Sequence, residues 1–400
     1  MRAPLIPLLL LLIVNAAVDY FIYWRASKCH SDIWKKVQLS SALLGVLILL
    51  TAIFLPARSG SETMLKAKMW TLFSYLTLYI PKYLGLLFDL IASLPILWRH
   101  SRCHALTKTG IAFAIVAFVA MWWGALVNRF NIDVQEITVE IPGLPPSFDG
   151  MTIAQFSDLH TGTFGSDTTF VNRLVDRINN LHPDLIVFTG DIVNRQSDEA
   201  HPFIASLSRL NAPMGFRAIL GNHDYGDYRD WDSPADKADN MTDLYKSFRN
   251  MGADLILNET RWLHAGGDSI ALIGVENIGD PPFKIYGSLP KAYPSLSDSN
   301  TKILLTHNPQ HWVDSIAGNL DANIALTLSG HTHAMQMQVG RISPAAFRYP
   351  TWGGIYYDSD NHTLARKLYV NIGSGTVGLP MRLGATPEIT LLTLKAVPAR

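Results

Sequence analysis

Residues 151–160 read MTIAQFSDLH, and this stretch decides the fold. Met151–Phe156 is an apolar run of strand length that stops at Ser157, so Asp158 and His160 stand just past its end. Side chains two apart on extended backbone lie on the same side, so this carboxylate and imidazole can share a ligand. The arrangement recurs downstream. Residues 184–191 (DLIVFTGD) end at Gly190-Asp191, and 216–224 (FRAILGNHD) end at Gly221-Asn222-His223-Asp224. Residues 302–308 (KILLTHN) end at His307, and 323–333 (NIALTLSGHTH) at Gly330-His331-Thr332-His333. Between these runs the period changes. Ser166 or Asp167 can cap a helix carrying Phe170, Val171, Leu174, Ile178 and Leu181 at helical spacing. Further helices are expected near 198–210 and 238–250, and strands near 254–257, 260–264 and 269–275. Strand, polar loop and helix in alternation is the pattern of a layered α/β fold. In such folds the reacting groups gather beyond the carboxyl ends of the strands, which is where all five motifs fall.

Two Asp, one Asn and four His make up the candidate ligand set, without Cys: Asp158, His160, Asp191, Asn222, His307, His331 and His333. Mixed nitrogen and oxygen donors suit Mn, Fe or Zn better than Ca or Mg. A carboxylate such as Asp191 has two oxygens and can bridge two cations. The Asn222 carbonyl limits the negative charge of the site. Two ions about 3.5–4 Å apart can share a hydroxide and clamp a phosphoryl group for in-line attack.

Asp-x-His, Gly-Asp, Gly-Asn-His-Asp, His and Gly-His-x-His, in this order, resemble the calcineurin-like metallophosphoesterases over residues 150–398. Tyr369-Val370-Asn371, Gly378-Leu379-Pro380, Arg382 and Pro387-Glu388-Ile389 are similar to a branch in which membrane segments or a signal precede the catalytic domain. The resemblance implies a four-layer α/β/β/α sandwich and two divalent metal ions. It also implies roles. Asp158, His160 and His333 would hold the first metal, and Asn222, His307 and His331 the second, with Asp191 bridging. His223 would not ligate but would protonate the leaving oxygen or stabilise charge, oriented by Asp224. One departure is visible. The family often has Gly-Asp-x-x-Asp, where this chain has Asp191-Ile-Val-Asn194. Arg382 offers either a phosphate contact or a structural salt bridge.

The first third of the chain is different in kind. Residues 1–130 carry 13 Lys/Arg and 4 Asp/Glu, a balance of +9, and residues 131–400 carry 20 and 29, a balance of −9, so the overall zero conceals two opposite halves. Apolar stretches near 4–24, 37–56, 69–98 and 110–128 are each near or above the ~20 residues that cross a bilayer core. Trp24, Trp70, Trp98, Trp122 and Trp123 lie near their ends, as interfacial aromatics do. Four transmembrane helices are therefore expected in a membrane domain over 1–130. A linker and entry strand over 131–149 and the catalytic domain over 150–400 follow. The first stretch can also be read as a cleaved signal with Arg2 as its basic end, but its apolar character continues to Trp24, which favours a retained helix. Lys82 and Asp89 fall inside the third stretch. Pro81-Lys82 reads as a break or interfacial edge, and Asp89 as the partner of another span.

The loops on one side of such a bundle hold Arg25, Lys28, Lys35, Lys36, Arg99, Arg102 and Lys108. The other side holds Arg2, Arg58, Lys66, Lys68 and Arg129. The positive-inside rule leans toward a catalytic domain outside the cytoplasm. Cys29 and Cys103, the two cysteines of the chain, lie in loops on a shared side and leave a pairing open. The acidic second part argues against nucleic acid as a partner. The expectation is a multi-pass membrane protein hydrolysing a phosphate ester, a lipid-linked one by its address. Two alternatives stay open: a pyrophosphatase acting on a nucleotide-linked lipid precursor, and a membrane receptor or transporter that only binds metal.

Overall fold

A computed structural model describes residues 5–28, 32–319 and 321–398, which excludes Cys29. The chain divides into two compact units. One is Met1–Leu126 with Gly378–Met381, and the other is Val127–Val377 with Arg382–Arg400.

The first unit is built on four helices, α1 (Leu5–Lys28), α2 (Asp32–Phe54), α3 (Glu62–Ser93) and α4 (His104–Leu126), each long and apolar enough to cross a membrane. The usual burial rule is inverted. Leu43, Leu47, Ile111, Phe113 and Val116 face outward, and polar side chains turn inward. Asp19 on α1 accepts from Gln38 of α2 (2.8 Å) and from Tyr79 of α3 (2.8 Å), and pairs with Lys82 of α3 at 2.7 Å. Asp89 pairs with Arg25 of α1 at 3.2 Å and with Arg102, so the expected partnership with another span is present. Lys82 corrects the sequence reading. It marks no break, because α3 runs straight through Pro81 to Ser93. Neighbouring helices make an interior proline tolerable in such a bundle, and Lys82 is held by Asp19. The start of α3 also lies earlier than expected. Ser61 caps it, its hydroxyl accepting from the Met64 amide at 3.3 Å.

The second unit carries strands β1 (Asp133–Pro142), β2 (Thr152–Phe156), β3 (Leu185–Phe188), β4 (Phe216–Ala218), β5 (Ala253–Leu255) and β6 (Glu259–Ala265). They are followed by β7 (Asp268–Gly274), β8 (Lys302–Leu305), β9 (Leu326–Ser329), β10 (Gly354–Tyr357), β11 (Lys367–Val370) and β12 (Glu388–Val397). Its helices are α5 (Thr169–Asn179), α6 (Ile204–Leu207), α7 (Pro234–Asn250), α8 (Leu289–Ala292) and α9 (Gln310–Ser315). Two six-stranded sheets form, in the orders β1-β12-β2-β3-β4-β5 and β10-β11-β9-β8-β7-β6. Within them β2 to β5 run parallel, as do β7, β8, β9 and β11.

Alternation along the strands sets the layers. In β3, Leu185 and Val187 join Ile153, Leu272, Ile303, Leu305, Leu328 and Leu392 in one core, which takes residues from both sheets and lies between them. Ile186 and Phe188 point the other way, onto Phe170, Leu174 and Ile178 of α5 and Leu244 and Phe248 of α7. On the far side, Ile273, Leu304 and Leu368 pack on Trp312 of α9 and Leu289 of α8. Helices, sheet, sheet and helices make the α/β/β/α sandwich. Strands covered on both faces read as unbroken apolar runs, as LIVF of β3 does. The helix expected over 198–210 is instead a 3-10 segment, Ser197–Phe203, leading into the short α6. Pro202 removes an amide donor there and disfavours helical backbone in the residue before it.

Candidate metal centre

Five parallel strands end at the same edge of the sandwich. β2 delivers Asp158 and His160, β3 delivers Asp191, β4 delivers Asn222 and His223, β8 delivers His307, and β9 delivers His331 and His333. Turning the chain sharply after each strand puts most of these residues in left-handed backbone. Asp158 (φ 52°), His160 (48°), Asp191 (62°), His331 (76°) and His333 (51°) all have positive φ. Each such non-glycine residue costs about 1 kcal/mol or more, a strain that collects at the site and not in the core. Gly190 makes the closest turn possible. Its φ is +100°, and a Cβ there would stand 2.5 Å from the Gly221 amide nitrogen.

The ligand candidates fall into two groups. In the first, His333 Nε2 lies 3.2 Å from Asp158 Oδ1 and 3.0 Å from His160 Nε2. In the second, His307 Nε2 lies 3.2 Å from Asp191 Oδ2 and 3.3 Å from His331 Nδ1. Asp191 Oδ2 is also 3.7 Å from His160 Nε2, so one carboxylate oxygen faces both groups. Asn222 donates from Nδ2 to Tyr228 Oη at 2.8 Å, which leaves its buried Oδ1 without a protein partner.

The electrostatics agree with a cation site. Burial, then the neighbouring His223, holds the His160 imidazole well below its ordinary pKa. Burial and His307 take His331 down to about 3, and burial also lowers His333. These rings are therefore neutral, the form that ligates metal. At His307 burial is overcome by the Asp191 carboxylate, which lifts it to about 9. Asp191 thus favours positive charge at this point, which a divalent ion would supply in place of a proton. Imidazole nitrogen facing imidazole nitrogen at 3.0 and 3.3 Å, with an unpartnered amide oxygen alongside, is the donor set of a cation site, and the residues present fit two divalent ions.

Fixing the rings falls to groups outside the ligand set. His307 donates from Nδ1 to the Thr189 carbonyl at 2.8 Å, which leaves Nε2 for a ligand. His331 Nε2 meets Tyr349 Oη at 3.0 Å, which turns Nδ1 inward. Behind His333 lies Arg382, fully buried, with Nη2 3.1 Å from Nδ1. Three of its donors go to the carbonyls of Ile372, Gly375 and Ala385. Among the described residues Arg382 therefore makes no salt bridge, the structural role that its sequence context suggested. The guanidinium ties the 372–385 loop together through these carbonyls and stands directly behind the His333 ring.

His223 stands at the rim of this cluster. Its backbone amide donates to Asp191 Oδ1 at 2.8 Å, its Nδ1 donates to the Asn194 carbonyl at 2.7 Å, and its ring stacks on Tyr228 at 4.0 Å. Asp224 does not orient this imidazole, which corrects the sequence expectation. The carboxylate is fully buried and accepts from the amides of Asp191, Ile192, Val193 and Gly221 at 2.8–3.3 Å. A side chain one residue after His223 points away from it, so Asp224 pins the Asp191 turn to the Gly221 turn. Orientation of His223 comes from the main chain of Asn194, at the position where the sequence departs from the usual aspartate. A backbone carbonyl carries no sequence signal, which is why the motif reading missed it.

Comparison with known proteins agrees with this geometry. Residues 151–335 match the family model described as calcineurin-like phosphoesterase. Residues 1–129 match the model of a probable calcineurin-like phosphoesterase transmembrane domain. The chain is 35% identical over 292 residues to the uncharacterized metallophosphoesterase YkuE of Bacillus subtilis, covering 71% of this chain and 93% of that one. The chain belongs to the calcineurin-like metallophosphoesterases. It is also similar to proteins named transmembrane protein with metallophosphoesterase domain. That of Bos taurus is 31% identical over 65% of this chain and 57% of its own length. That of Danio rerio is 28% identical over 72% and 63%. This metallophosphoesterase is a membrane protein whose mixed α/β domain follows four membrane-crossing helices.

Proposed function

We propose that this metallophosphoesterase hydrolyses a phosphodiester or related phosphate ester, with two divalent ions, Mn, Fe or Zn, held at the ends of the five strands. The observation that supports it most is the single oxygen of Asp191 facing both ligand groups, 3.2 Å from His307 and 3.7 Å from His160. In this reading Asp158, His160 and His333 hold one ion, Asn222, His307 and His331 hold the other, and Asp191 bridges them. When bound, such a pair supplies Lewis acidity to the phosphoryl group and brings the pKa of water near neutrality. The chain's own residues do the rest. Asp224 keeps the Asp191 and Asn222 turns in register. Asn194 fixes the His223 tautomer with Nδ1 protonated, so Nε2 is the atom that exchanges a proton with the leaving oxygen. The domain over 150–400 carries the chemistry, the membrane domain over 1–130 brings it to a bilayer, and the charge asymmetry of the loops favours the extracytoplasmic side.

The test uses the full chain in detergent with Mn supplied and a generic aryl phosphodiester. Wild type should turn over, and His223→Ala should lower kcat by about 10²–10⁴-fold while keeping its metal content. A wild-type protein that holds two ions but is inert, or a His223→Ala variant that is unchanged, would overturn the reading.

A further inference from the structure

The surface of the catalytic sandwich is unevenly apolar. From Asp133 onward, among the described residues, six large apolar side chains are exposed, and five belong to two loops: Ile285, and Met335, Val339, Ile342 and Phe347. Phe347 is 96% exposed, and Val339 and Ile342 are 77% exposed each. This is no disordered fringe. Val339 and Ile342 bond each other's backbone across a tight hairpin, and Ser343 donates to the Ala334 carbonyl at 2.7 Å, folding residues 334–347 into a lobe. An ion pair between Arg348 and Asp280 ties the lobe to the loop of Ile285.

Both loops reach the metal centre. Phe283, two residues before Ile285, meets the His331 ring edge-on at 4.8 Å. Tyr349, two residues after Phe347, bonds His331. Ile285 and Phe347 therefore stand two residues from side chains that touch the ligand cluster, and the Val339–Ile342 hairpin belongs to the same lobe as Phe347. Contiguous exposed apolar surface marks an interaction site. Arg341 at the hairpin tip is exposed, so a cation accompanies the apolar groups, and Lys284 beside Ile285 is 63% exposed while pairing with Asp227 at 2.7 Å. That combination suits an anionic lipid surface, with apolar side chains among acyl chains and cations among headgroups. The chain itself keeps a bilayer within reach. Six residues separate Leu126, the end of α4, from Asp133, a tether that spans at most about 25 Å.

We propose that the 334–347 lobe and the Ile285 loop insert into the bilayer surface and present the metal centre to phosphate esters of membrane lipids. This names the substrate class for the phosphoesterase reading and rests on it.

The test separates the two. Full-length protein, with Cys29→Ser and Cys103→Ser, carries Phe347→Cys or, as a control on exposed α7, Lys246→Cys. Each is labelled with bimane and placed in vesicles of phosphatidylethanolamine and phosphatidylglycerol containing a nitroxide on the acyl chain. The label at 347 should be quenched at least about twofold more than the label at 246. Equal quenching would overturn the docking, as would cross-linking of 347 to a second copy at the expense of quenching. In parallel, Val339→Ser, Ile342→Ser and Phe347→Ser are combined. The KM for a long-chain aryl phosphodiester embedded in vesicles should rise by about tenfold, with hydrolysis of a water-soluble diester unchanged. An equal loss on both, or no loss on either, would overturn the docking. Inertness of the metal-loaded wild type toward both esters would instead sink the hydrolase reading, and quenching would then decide the docking by itself.

Discussion

The protein buries two clusters of charge, one among its membrane helices and one at the strand ends of the sandwich, and they are built on opposite plans. Around Asp19 each donor meets an acceptor: Lys82, Tyr79 and Gln38 converge on one carboxylate within 2.7–2.8 Å. At the strand ends, beside the His–Asp contacts, like also meets like. His160 faces His333, His331 faces His307, the Asn222 oxygen finds no protein partner, and five ligands sit in left-handed backbone. A satisfied cluster is complete in itself and contributes to the packing of a bundle. A cluster that keeps imidazole lone pairs facing one another and an amide oxygen without a protein partner is held by the surrounding sheets, and a cation would complete it. The first cluster is thus architectural, and the second has the donor set of a binding site.

The largest effect expected from breaking this distinction is at Asp191. Replacing it by Asn leaves the fold but removes the charge that both ligand groups face. Asp191→Asn should lose both ions from stoichiometric binding and drop kcat/KM by about 10³-fold or more, as read by metal analysis and ester hydrolysis on the same sample. Retention of one ion at full occupancy would show that the carboxylate serves a single group. The opposite expectation holds for Lys82→Met. It strands Asp19 and should destabilise the helical unit by about 3–5 kcal/mol, seen in thermal unfolding in detergent. Adding Asp19→Leu should recover most of that loss, since a pair replaced by apolar groups is often near neutral. Metal content should not change. A fall in bound metal at intact stability would mean that the Asp19 cluster is not architectural.

Much of the second cluster is legible in the sequence, and the reason is local. Each ligand stands within a few residues of an apolar run of strand length, so a short window shows both the strand and its end. Parallel strands then bring the ends together without further information. The parts that could not be read are those set by main-chain geometry or by distant segments. Asp224 follows His223 directly, which suggested that it orients the ring, but the turn sends its carboxylate back onto the amides of 191–193. Arg382 is 49 residues from His333, and no spacing predicts that it stands behind that ring. Tyr228 and Tyr349 carry no motif at all. In the membrane part the four spans follow from composition alone, whereas the role of Lys82 depends on a partner 63 residues away, and Pro81 beside it pointed to a break that α3 does not have.

Glu199 lies between the two plans and gives the finest test. It is buried in the sandwich, accepts from the Asn194 amide at 2.5 Å, and so sits behind the carbonyl that orients His223. Burial raises its carboxyl pKa to about 7, and the Asn194 amide and Arg195 only partly offset this. A raised folded-state pKa means that the protonated form is favoured on folding. The associated stability is therefore complete below the ordinary value near 4.5 and is lost as pH rises through 7. Glu199→Gln keeps an acceptor for Asn194 and removes the ionisation. Wild type and variant should unfold alike near pH 4.5, and the variant should gain on wild type up to pH 8, by about 3 kcal/mol, measured on the catalytic-domain transition in metal-loaded protein. If Arg195 instead completes Glu199 in the manner of Asp19 and Lys82, the difference reverses and the variant becomes the weaker protein at pH 8. The sign alone tells whether burial or pairing governs this carboxylate, and so to which of the two plans the support of His223 belongs.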